Sequence, residues 1–311
     1  MSDTTDFELI IIGGGPAGTA AGVYAARKQL NTLLVTETFG GQSNVSPSIE
    51  NWIGTQSISG IDFAKNLEDH VRSYEGDALT IEDGARATNI SKDDGHFILE
   101  TTKETWRTTA VLITTGAHRR KLKIPGAAEF ENKGVVYCAS CDGPLFADKD
   151  VVVIGGGNAG FEAAAQLLAY TKSVTLLQHS DEFKAEEITV ENVLAHENMT
   201  AHLNAEAKKI SGKQFTEKLT YEDLETGEEK EIPAEGVFVE IGLIPNTEYA
   251  ADLLETNQIN QIVTDPKTQR ASADGVWAAG DCADGLYHQN NIAAGDAVKA
   301  VEDLYLWIKA S

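Results

Sequence analysis

The stretch FELIIIGGGPAGTAAGVYAARKQLNTLLVTE, residues 7–37, decides the fold of this chain. It begins with an apolar run rich in isoleucine, passes through a glycine-rich turn, continues as an alanine-rich segment and ends in a second apolar run. That order predicts a strand, a tight turn, a helix and a strand, which together form a βαβ unit. Because the two strands of such a unit run parallel, the stretch predicts an α/β fold.

The same pattern recurs at residues 150–179, DVVVIGGGNAGFEAAAQLLAYTKSVTLLQH. Two copies predict two Rossmann-like domains of three-layer ββα architecture, each suited to a dinucleotide. Gly116 ends one apolar run and Pro245 follows another, and we interpret both as crossings between domains. The second domain is then inserted into the first. The expected domains are residues 1–116 with 246–311, and residues 117–245.

Gly13, Gly15 and Gly18 form a G-x-G-x-x-G loop directly after the first predicted strand. In such a loop the first glycine permits the turn, the second lets the backbone approach a pyrophosphate, and the third lets the helix pack closely. Glu37 ends the second strand, where an acid bonds a ribose hydroxyl. Further along, Asp281 precedes a predicted helix, where it can bond a ribityl hydroxyl, cap the helix, or do both.

Two of the three cysteines, Cys138 and Cys141, are spaced C-x-x-C. This spacing is typical of a redox pair or of half a zinc site. A zinc site needs four nitrogen or sulfur ligands, and the sequence offers no second pair, so we expect no metal. Asp142 follows directly and suits either a proton shuttle or a helix cap or turn. Cys282 is predicted to be a small buried residue.

The amino-acid composition limits the classes of partner that this chain is expected to bind. Its 311 residues include 48 acidic and 25 basic side chains, which gives a net charge of −23. Such a surface repels nucleic acid and anionic lipid, so we expect neither as a partner. The acidity is spread along the chain, which favours a solubility or salt adaptation over a surface for a basic partner. We find neither an export signal nor a run of about 18 apolar residues, and these features predict a cytoplasmic protein.

The motifs GGGPAG, GGQ (40–42), ENWIG (50–54), CASCDG (138–143), GGGNAG and AAGDC occur in the order found in low-molecular-weight thioredoxin reductases. The resemblance covers essentially the whole chain. CDGPLF and VFVEIGLIPNT also resemble the reductase part of the alkyl hydroperoxide reductase flavoprotein. That flavoprotein has an additional N-terminal thioredoxin-like region, whereas this sequence starts at the flavin domain. We therefore expect a stand-alone reductase that acts on a separate partner.

The resemblance implies a homodimer that binds FAD and reduces thioredoxin or a thioredoxin-like protein disulfide. It implies that Cys141 meets the flavin, that Cys138 attacks the partner and that Asp142 is the acid–base residue. The implied flavin-site residues are Gly13, Gly15, Pro16, Ala17, Gly18, Glu37, Gly41, Gln42, Asn51, Gly280, Asp281 and Gln289.

The segment that follows the second βαβ unit, which selects between NADH and NADPH in this family, departs from the family pattern. NADPH-dependent members carry HRRxxxR after the next strand, whereas residues 178–184 here are QHSDEFK. The paired arginines that clamp a 2′-phosphate are missing, and Gln178 can hold a 2′-hydroxyl only weakly. NADH, NADPH and a non-nicotinamide donor such as ferredoxin therefore remain open. The expected second-site residues are Gly155, Gly157, Asn158, Gly160, Gln178 and His179.

Two functions of other classes remain as alternatives. One is a flavin-linked oxidase that forms H₂O₂, which the cysteine pair argues against because an oxidase needs no dithiol. The other is a redox-sensing flavoprotein that does not turn over.

Overall fold

The computed structural model describes residues 6–46 and 48–310. The chain divides into two compact units. The first unit contains the chain up to His118 and from Ile244 onward, and the second unit is Arg119–Leu243. The strands are β1 Asp6–Gly14, β2 Thr32–Phe39, β3 Leu79–Asp83, β4 Ala87–Asp93, β5 His96–Thr101, β6 Thr105–Ile113, β7 Ala117–Arg119, β8 Val135–Val136, β9 Asp150–Ile154, β10 Ser173–Leu177, β11 Met199–His202, β12 Ala205–Gly212, β13 Thr216–Asp223, β14 Glu228–Pro233, β15 Gly236–Val239, β16 Leu243–Pro245 and β17 Val276–Ala278. The helices are α1 Pro16–Arg27, α2 Gly60–Arg72, α3 Ala139–Asp142, α4 Asn158–Leu167, α5 Glu187–Leu194 and α6 Asn290–Ala310, with 3-10 turns at Gly41–Val45, Gly143–Phe146 and Glu248–Ala250.

The sheet of the first unit follows the order β3-β2-β1-β6-β5-β4. Strand β1 pairs in parallel with β2 and β6. Strand β6 pairs antiparallel with β5 along its first half and parallel with β17 along its second half. The carboxyl ends of β1, β2, β6 and β17 therefore meet at one edge, which is where ligands bind in open α/β sheets.

Both faces of this sheet are covered. Leu9 and Ile11 pack on the side of α1 and α6, and Ile10 and Ile12 pack on the opposite side, because successive side chains of a strand alternate. The apolar period near the end of the sequence predicts a helix over residues 293–308, and α6 extends three residues before and two residues after that span.

The second unit repeats this architecture with its own core. Its parallel sheet has the order β11-β10-β9-β15-β8. Val151 and Val153 pack towards α4, whereas Val152 and Ile154 pack towards the antiparallel meander β12-β13-β14. Helices, parallel sheet and meander form three layers, which confirms the α/β prediction of two Rossmann-like units, the second inserted into the first.

The chain crosses between the units along β7 and β16, which pair as a small two-stranded sheet. The boundaries expected at residues 116 and 246 lie two residues from the crossings at 118 and 244. Within residues 6–46 and 48–310, no helix combines the length and the apolar character needed to cross a membrane.

Candidate functional site

The first glycine loop has a shape that only glycine permits at its two ends. Gly13 adopts a φ of +122°, and a Cβ there would overlap the end of β6 at Thr114. A Cβ on Gly18 would lie 2.7 Å from the carbonyl carbon of Gly13 and 2.8 Å from Thr114 Oγ1. At Gly15, by contrast, no described atom lies within 4 Å of the Cβ position. Gly13 and Gly18 are thus closely packed by neighbouring backbone, whereas the space next to Gly15 is open to a ligand.

A cavity of about 980 Å³ lies over this loop in the first unit. Its size is at the upper end of the range for ligand sites, roughly 300–1,000 Å³, which suits a large dinucleotide. Gly18 lies beneath the lining, packed against Gly13. The lining includes nine of the residues expected at the flavin site: Gly13, Gly15, Pro16, Ala17, Glu37, Gly41, Gln42, Gly280 and Asp281.

The cavity offers groups for both ends of a dinucleotide. Helix α1 begins at Pro16 with Gly15 as its N-cap, so its unpaired backbone N–H groups suit a pyrophosphate. Glu37, two residues before the end of β2, is exposed and lines the cavity, as an acceptor for ribose hydroxyls must. Asn290, at the start of α6, also lines it and accepts a 3.0 Å hydrogen bond from Ser43 Oγ. The residues present therefore fit FAD.

Asn51 and Gln289 are brought together although they are far apart in sequence. Asn51 Nδ2 donates to Gln289 Oε1 at 3.0 Å, and Asn291 Nδ2 donates to the Asn51 carbonyl at 2.7 Å. Neither of the two predicted residues belongs to the cavity lining, so their hydrogen bond fastens two loops to each other.

Several lining residues escaped the sequence analysis. Thr114 and Thr115 follow β6, and because β6 is parallel to β1 they lie beside the glycine loop. A sequence pattern could have identified these two threonines, since TTG directly follows a strong apolar run. Arg86 and Asn246 also line the cavity, but no local pattern marks them because only the tertiary fold brings them there.

The second glycine loop has the same geometry in the second unit. Gly155 has a φ of +119°, and a Cβ there would overlap the backbone of Glu240. No described atom lies within 4 Å of the Cβ position of Gly157, which is the N-cap of α4. The third glycine, Gly160, packs against Gly155. Asn158 Oδ1 accepts a 2.9 Å hydrogen bond from the Glu186 backbone N–H and so ties the loop to the following segment.

Strand register identifies the residue that occupies the position of Glu37 in the second unit. Ile12 pairs with Val35 in the first unit, and Ile154 pairs with Leu177 in the second. Glu37 lies two residues after Val35, so its counterpart is His179 rather than Gln178. The Gln178 side chain is buried and bonded within the loop: its Oε1 accepts from Gly156 N at 2.9 Å, and its Nε2 donates to Ser180 Oγ at 2.6 Å.

The surroundings of His179 are mostly acidic. His179, Asp181 and Glu182 are exposed. Glu206 lies near as well: hydrogen bonding to the Lys208 ammonium holds the pKa of its carboxyl below the usual range, and the charge of His179 adds to this effect. Asp181 and Glu182 follow His179 closely in sequence, whereas the Glu206 carboxylate is paired with the Lys208 ammonium.

The cysteine pair forms a disulfide at the start of the short helix α3. The Cα atoms of Cys138 and Cys141 lie 5.3 Å apart, and both residues are partly exposed. The Cys138 carbonyl accepts a 3.0 Å hydrogen bond from the Asp142 backbone N–H, which closes the turn around the disulfide. Cys282 lies in the first unit and is fully buried, as predicted. Among the described residues, no cluster of three His, Cys, Asp or Glu side chains is suited to a metal.

Asp142 is buried beside the disulfide, with 9% of its surface exposed. Burial raises the pKa of its carboxyl to about 6, and the positive charge of Arg119 opposes the rise. Its carboxyl group makes no capping hydrogen bond to the 3-10 turn Gly143–Phe146, all of whose residues are described. A carboxyl group that titrates near neutral pH next to a disulfide suits proton transfer better than capping.

A second buried carboxyl group, Glu240, was not singled out by the sequence analysis. Its side chain is 8% exposed and its Oε2 lies 3.2 Å from Arg119 Nη1. Burial raises the pKa of this carboxyl to about 7, against the influence of Arg119. The signal was an acid at the end of an otherwise apolar strand, GVFVE.

Comparison with known proteins agrees with this geometry. The family model of pyridine nucleotide-disulphide oxidoreductases matches residues 7–297. A Bacillus subtilis protein named NADH dehydrogenase is 42% identical over 96% of this chain and 58% of its own length. A component of the alkyl hydroperoxide reductase of Staphylococcus aureus is 40% identical over 97% of this chain and 59% of its own length. The chain thus spans less than two thirds of the length of these curated relatives.

Solved structures match this chain over nearly all of its residues. The thioredoxin reductase of Giardia duodenalis aligns with a TM-score of 0.91 and 30% identity, over 98% of this chain and 99% of that one. Its likeness extends through both units. The chain therefore belongs to the pyridine nucleotide-disulphide oxidoreductase family, as an oxidoreductase built like the low-molecular-weight thioredoxin reductases.

Proposed function

We propose that this protein is a flavin-dependent reductase of protein disulfides, with a thioredoxin-like protein as its partner. The observation that carries the proposal is the Cys138–Cys141 disulfide, partly exposed and directly followed by a buried carboxyl group with a pKa of about 6. Neither a pure oxidase nor a simple binding module needs this combination of an accessible dithiol and a neighbouring acid.

Membership of the family implies FAD as the cofactor, and the cavity of the first unit is the site we propose for it. The backbone of Gly15 and Ala17 at the start of α1 would hold the pyrophosphate, and Glu37 would bond ribose hydroxyls. Asp281 would bond the ribityl chain. When bound, FAD supplies the two electrons that reduce the disulfide.

The chain's own residues then perform thiol–disulfide exchange. The Cys138 thiolate attacks one sulfur of the partner disulfide, forms a mixed disulfide and releases the other sulfur as a thiolate. The Cys141 thiolate attacks the Cys138 sulfur, which re-forms the internal disulfide and releases the partner as a dithiol. Asp142 holds the proton that leaving sulfurs take up, and a pKa near neutrality suits both giving and regaining it.

For the electron donor we propose NADH, bound at the second glycine loop. Residues 178–184 contain no arginine and a single lysine, Lys184, and the acidic side chains of Asp181 and Glu182 follow His179 closely. Each of these carboxylates disfavours the phosphate of NADPH. The name of the Bacillus subtilis relative, NADH dehydrogenase, supports the same choice. From the resemblance to low-molecular-weight thioredoxin reductases we also propose a homodimer, active in the reducing cytoplasm.

The test is turnover of thioredoxin disulfide by the wild type, by Cys141→Ser and by Asp142→Asn under NADH. We expect Cys141→Ser to retain its flavin and to lose disulfide reduction, because Cys138 alone cannot resolve a mixed disulfide. Undiminished turnover by Cys141→Ser would refute the proposal. Anaerobic titration with NADH, NADPH and reduced ferredoxin, followed by flavin absorbance, tests the donor. Bleaching by ferredoxin alone would replace NADH by a non-nicotinamide donor.

A further inference from the structure

Basic side chains of this acidic protein are concentrated in two segments of the second unit. Residues 119–133 and 205–213 contain eight of the 25 basic side chains and three of the 48 acidic ones. These 24 residues therefore carry a net charge of +5, whereas the other 287 residues carry −28. A solubility or salt adaptation accounts for an acidic excess but not for a local reversal of its sign.

The two segments lie side by side in the structure. The Ile210 backbone N–H donates to the Pro125 carbonyl at 3.0 Å, and the Thr216 backbone N–H donates to the Lys133 carbonyl at 3.0 Å. These bonds join the segments into one surface of the second unit. We call this surface the basic face, and it consists of five exposed cations, namely Arg120, Lys123, Lys133, Lys209 and Lys213.

The cations of the basic face are not neutralised by the protein itself. Within residues 6–46 and 48–310, none of the five forms an ion pair with an acid. The other three basic residues of the two segments are each paired with an acid, as Lys121 is with Glu131. Five unpaired positive charges on one surface create a local potential that attracts acidic groups from solution.

The basic face begins beside the redox disulfide. The Lys121 ammonium, within the first segment, lies 5.1 Å from the centre of the Tyr137 ring, and Tyr137 directly precedes Cys138. Lys133 is five residues before Cys138, so the Cα atoms of these two residues are at most about 18 Å apart. A protein interface of ordinary size covers about 800 Å² on each partner, which is a disc of about 16 Å radius. A protein whose disulfide meets Cys138 therefore reaches the nearer part of the basic face.

We propose that the basic face docks the protein whose disulfide Cys138 attacks, and that this partner carries aspartate and glutamate side chains beside its disulfide. The inference rests on the proposed reduction of a protein disulfide and adds the charge of the substrate. The basic face attracts such a partner, whereas the acidic remainder of the chain repels it. The partner is thereby oriented with its disulfide towards Cys138.

The test uses three synthetic peptides that share one oxidised Cys-Gly-Pro-Cys loop. The loop is followed by a tail of eight glutamates, eight glutamines or eight lysines. An extended tail of eight residues reaches about 26–29 Å, which exceeds the separation of Cys138 and Lys133. The full-length, flavin-loaded protein is reduced with dithiothreitol, freed of the reagent anaerobically and mixed with each peptide at an ionic strength of about 0.01 M or about 1 M.

The reaction measured is thiol–disulfide exchange without an electron donor. The Cys138 thiolate attacks the peptide disulfide, and the Cys141 thiolate resolves the mixed disulfide. Each peptide disulfide is reduced to a dithiol while the Cys138–Cys141 dithiol is oxidised to its disulfide. Peptide thiols are counted after acid quenching, so the rate depends on neither nicotinamide binding nor flavin turnover.

At the lower ionic strength we expect the wild type to reduce the glutamate peptide about tenfold faster than the lysine peptide, and we expect this difference to vanish at the higher one. The net charge of −23 acting alone predicts the opposite order, so the sign of the preference is decisive. The double variant Lys123→Glu, Lys133→Glu should lose or reverse the preference. The matched control is Lys65→Glu, Lys267→Glu, which alters two exposed lysines of the first unit, changes the net charge equally and should keep the preference.

The results that overturn the inference are distinguishable from failure of the proposed function. If the wild type reduces the lysine peptide faster, or if the Lys123 and Lys133 variant keeps the preference as the control does, the docking role is wrong and disulfide reduction stands. Loss of self-association by that variant in sedimentation, with its peptide preference unchanged, would assign the basic face to a second copy of this chain. If the wild type reduces none of the peptides, both proposals are wrong. Should the double variant fail to fold, Lys123→Gln with Lys133→Gln takes its place, since it removes the same two charges.

Discussion

Substitution of the glycines in the first loop should separate folding from flavin binding. In Gly18→Ala the new Cβ would lie 2.7 Å from the Gly13 carbonyl carbon and 2.8 Å from Thr114 Oγ1. The Gly13 carbonyl oxygen would lie closer still to this Cβ, and optimal carbon contacts are about 3.5–4.0 Å, so α1 must move away from β1 by more than about 1 Å. Overpacking of this kind costs roughly 1–3 kcal/mol. Gly15→Ala meets no described atom within 4 Å, so its effect on the free energy of unfolding should stay below about 1 kcal/mol.

The assay is thermal unfolding of the flavin-free variants by circular dichroism, together with the flavin content of the proteins as purified. At roughly 2–4 °C per kcal/mol, Gly18→Ala should lower the Tm by about 2–12 °C. Gly15→Ala should keep a Tm near the wild-type value but bind FAD more weakly, because its methyl group stands where the pyrophosphate would approach the backbone. The reasoning is refuted if Gly15→Ala loses as much stability as Gly18→Ala, or if Gly15→Ala binds FAD as tightly as the wild type.

Three further outcomes follow from the second unit. Asp142→Asn should stabilise the protein at pH 8 by up to about 3 kcal/mol, because the pKa of the folded carboxyl, about 6, lies above its ordinary value near 3.8. Ionisation of Asp142 therefore opposes folding of the wild type as the pH rises through that window. Urea unfolding should show this gain at pH 8 and no gain at pH 4, and an equal gain at both pH values would contradict the burial of the carboxyl. Gln178→Ala removes the acceptor of the Gly156 N–H and should cost about 1–3 kcal/mol, with faster hydrogen exchange at Gly156 and little change at Gly14 of the other loop. His179→Glu restores the acid that Glu37 supplies in the first unit and should tighten NADH binding about tenfold in a fluorescence titration; tighter binding of NADPH would contradict the register argument.

Much of the fold follows from local sequence. Both βαβ units are visible because a glycine loop, an apolar strand and an alanine-rich helix occur together within about 30 residues. The cysteine pair is equally local. The structure adds contacts between residues far apart in the chain: Arg119 and Glu240 are 121 residues apart and meet because both belong to the second unit.

Register explains the weaker part of the sequence analysis. The sequence predicts both Gln178 and His179 at the second site and assigns the 2′-hydroxyl to Gln178, whereas pairing of Leu177 with Ile154 gives His179 as the counterpart of Glu37. A one-residue difference in a strand changes which side chain reaches the ligand edge, because neighbouring side chains point to opposite faces. The helix predicted from residue 293, by contrast, begins three residues later than α6, because Asn290 and Asn291 lack the apolar period that marks the rest of the helix.

The central claim is that electrons given to this protein reach the Cys138–Cys141 disulfide. The most direct measurement is mass spectrometry of alkylated cysteines after one equivalent of NADH is added anaerobically to the flavin-loaded protein. We expect Cys138 and Cys141 to become alkylated together while buried Cys282 stays unmodified in the native protein. Bleaching of the flavin with the Cys138–Cys141 disulfide still intact would contradict it.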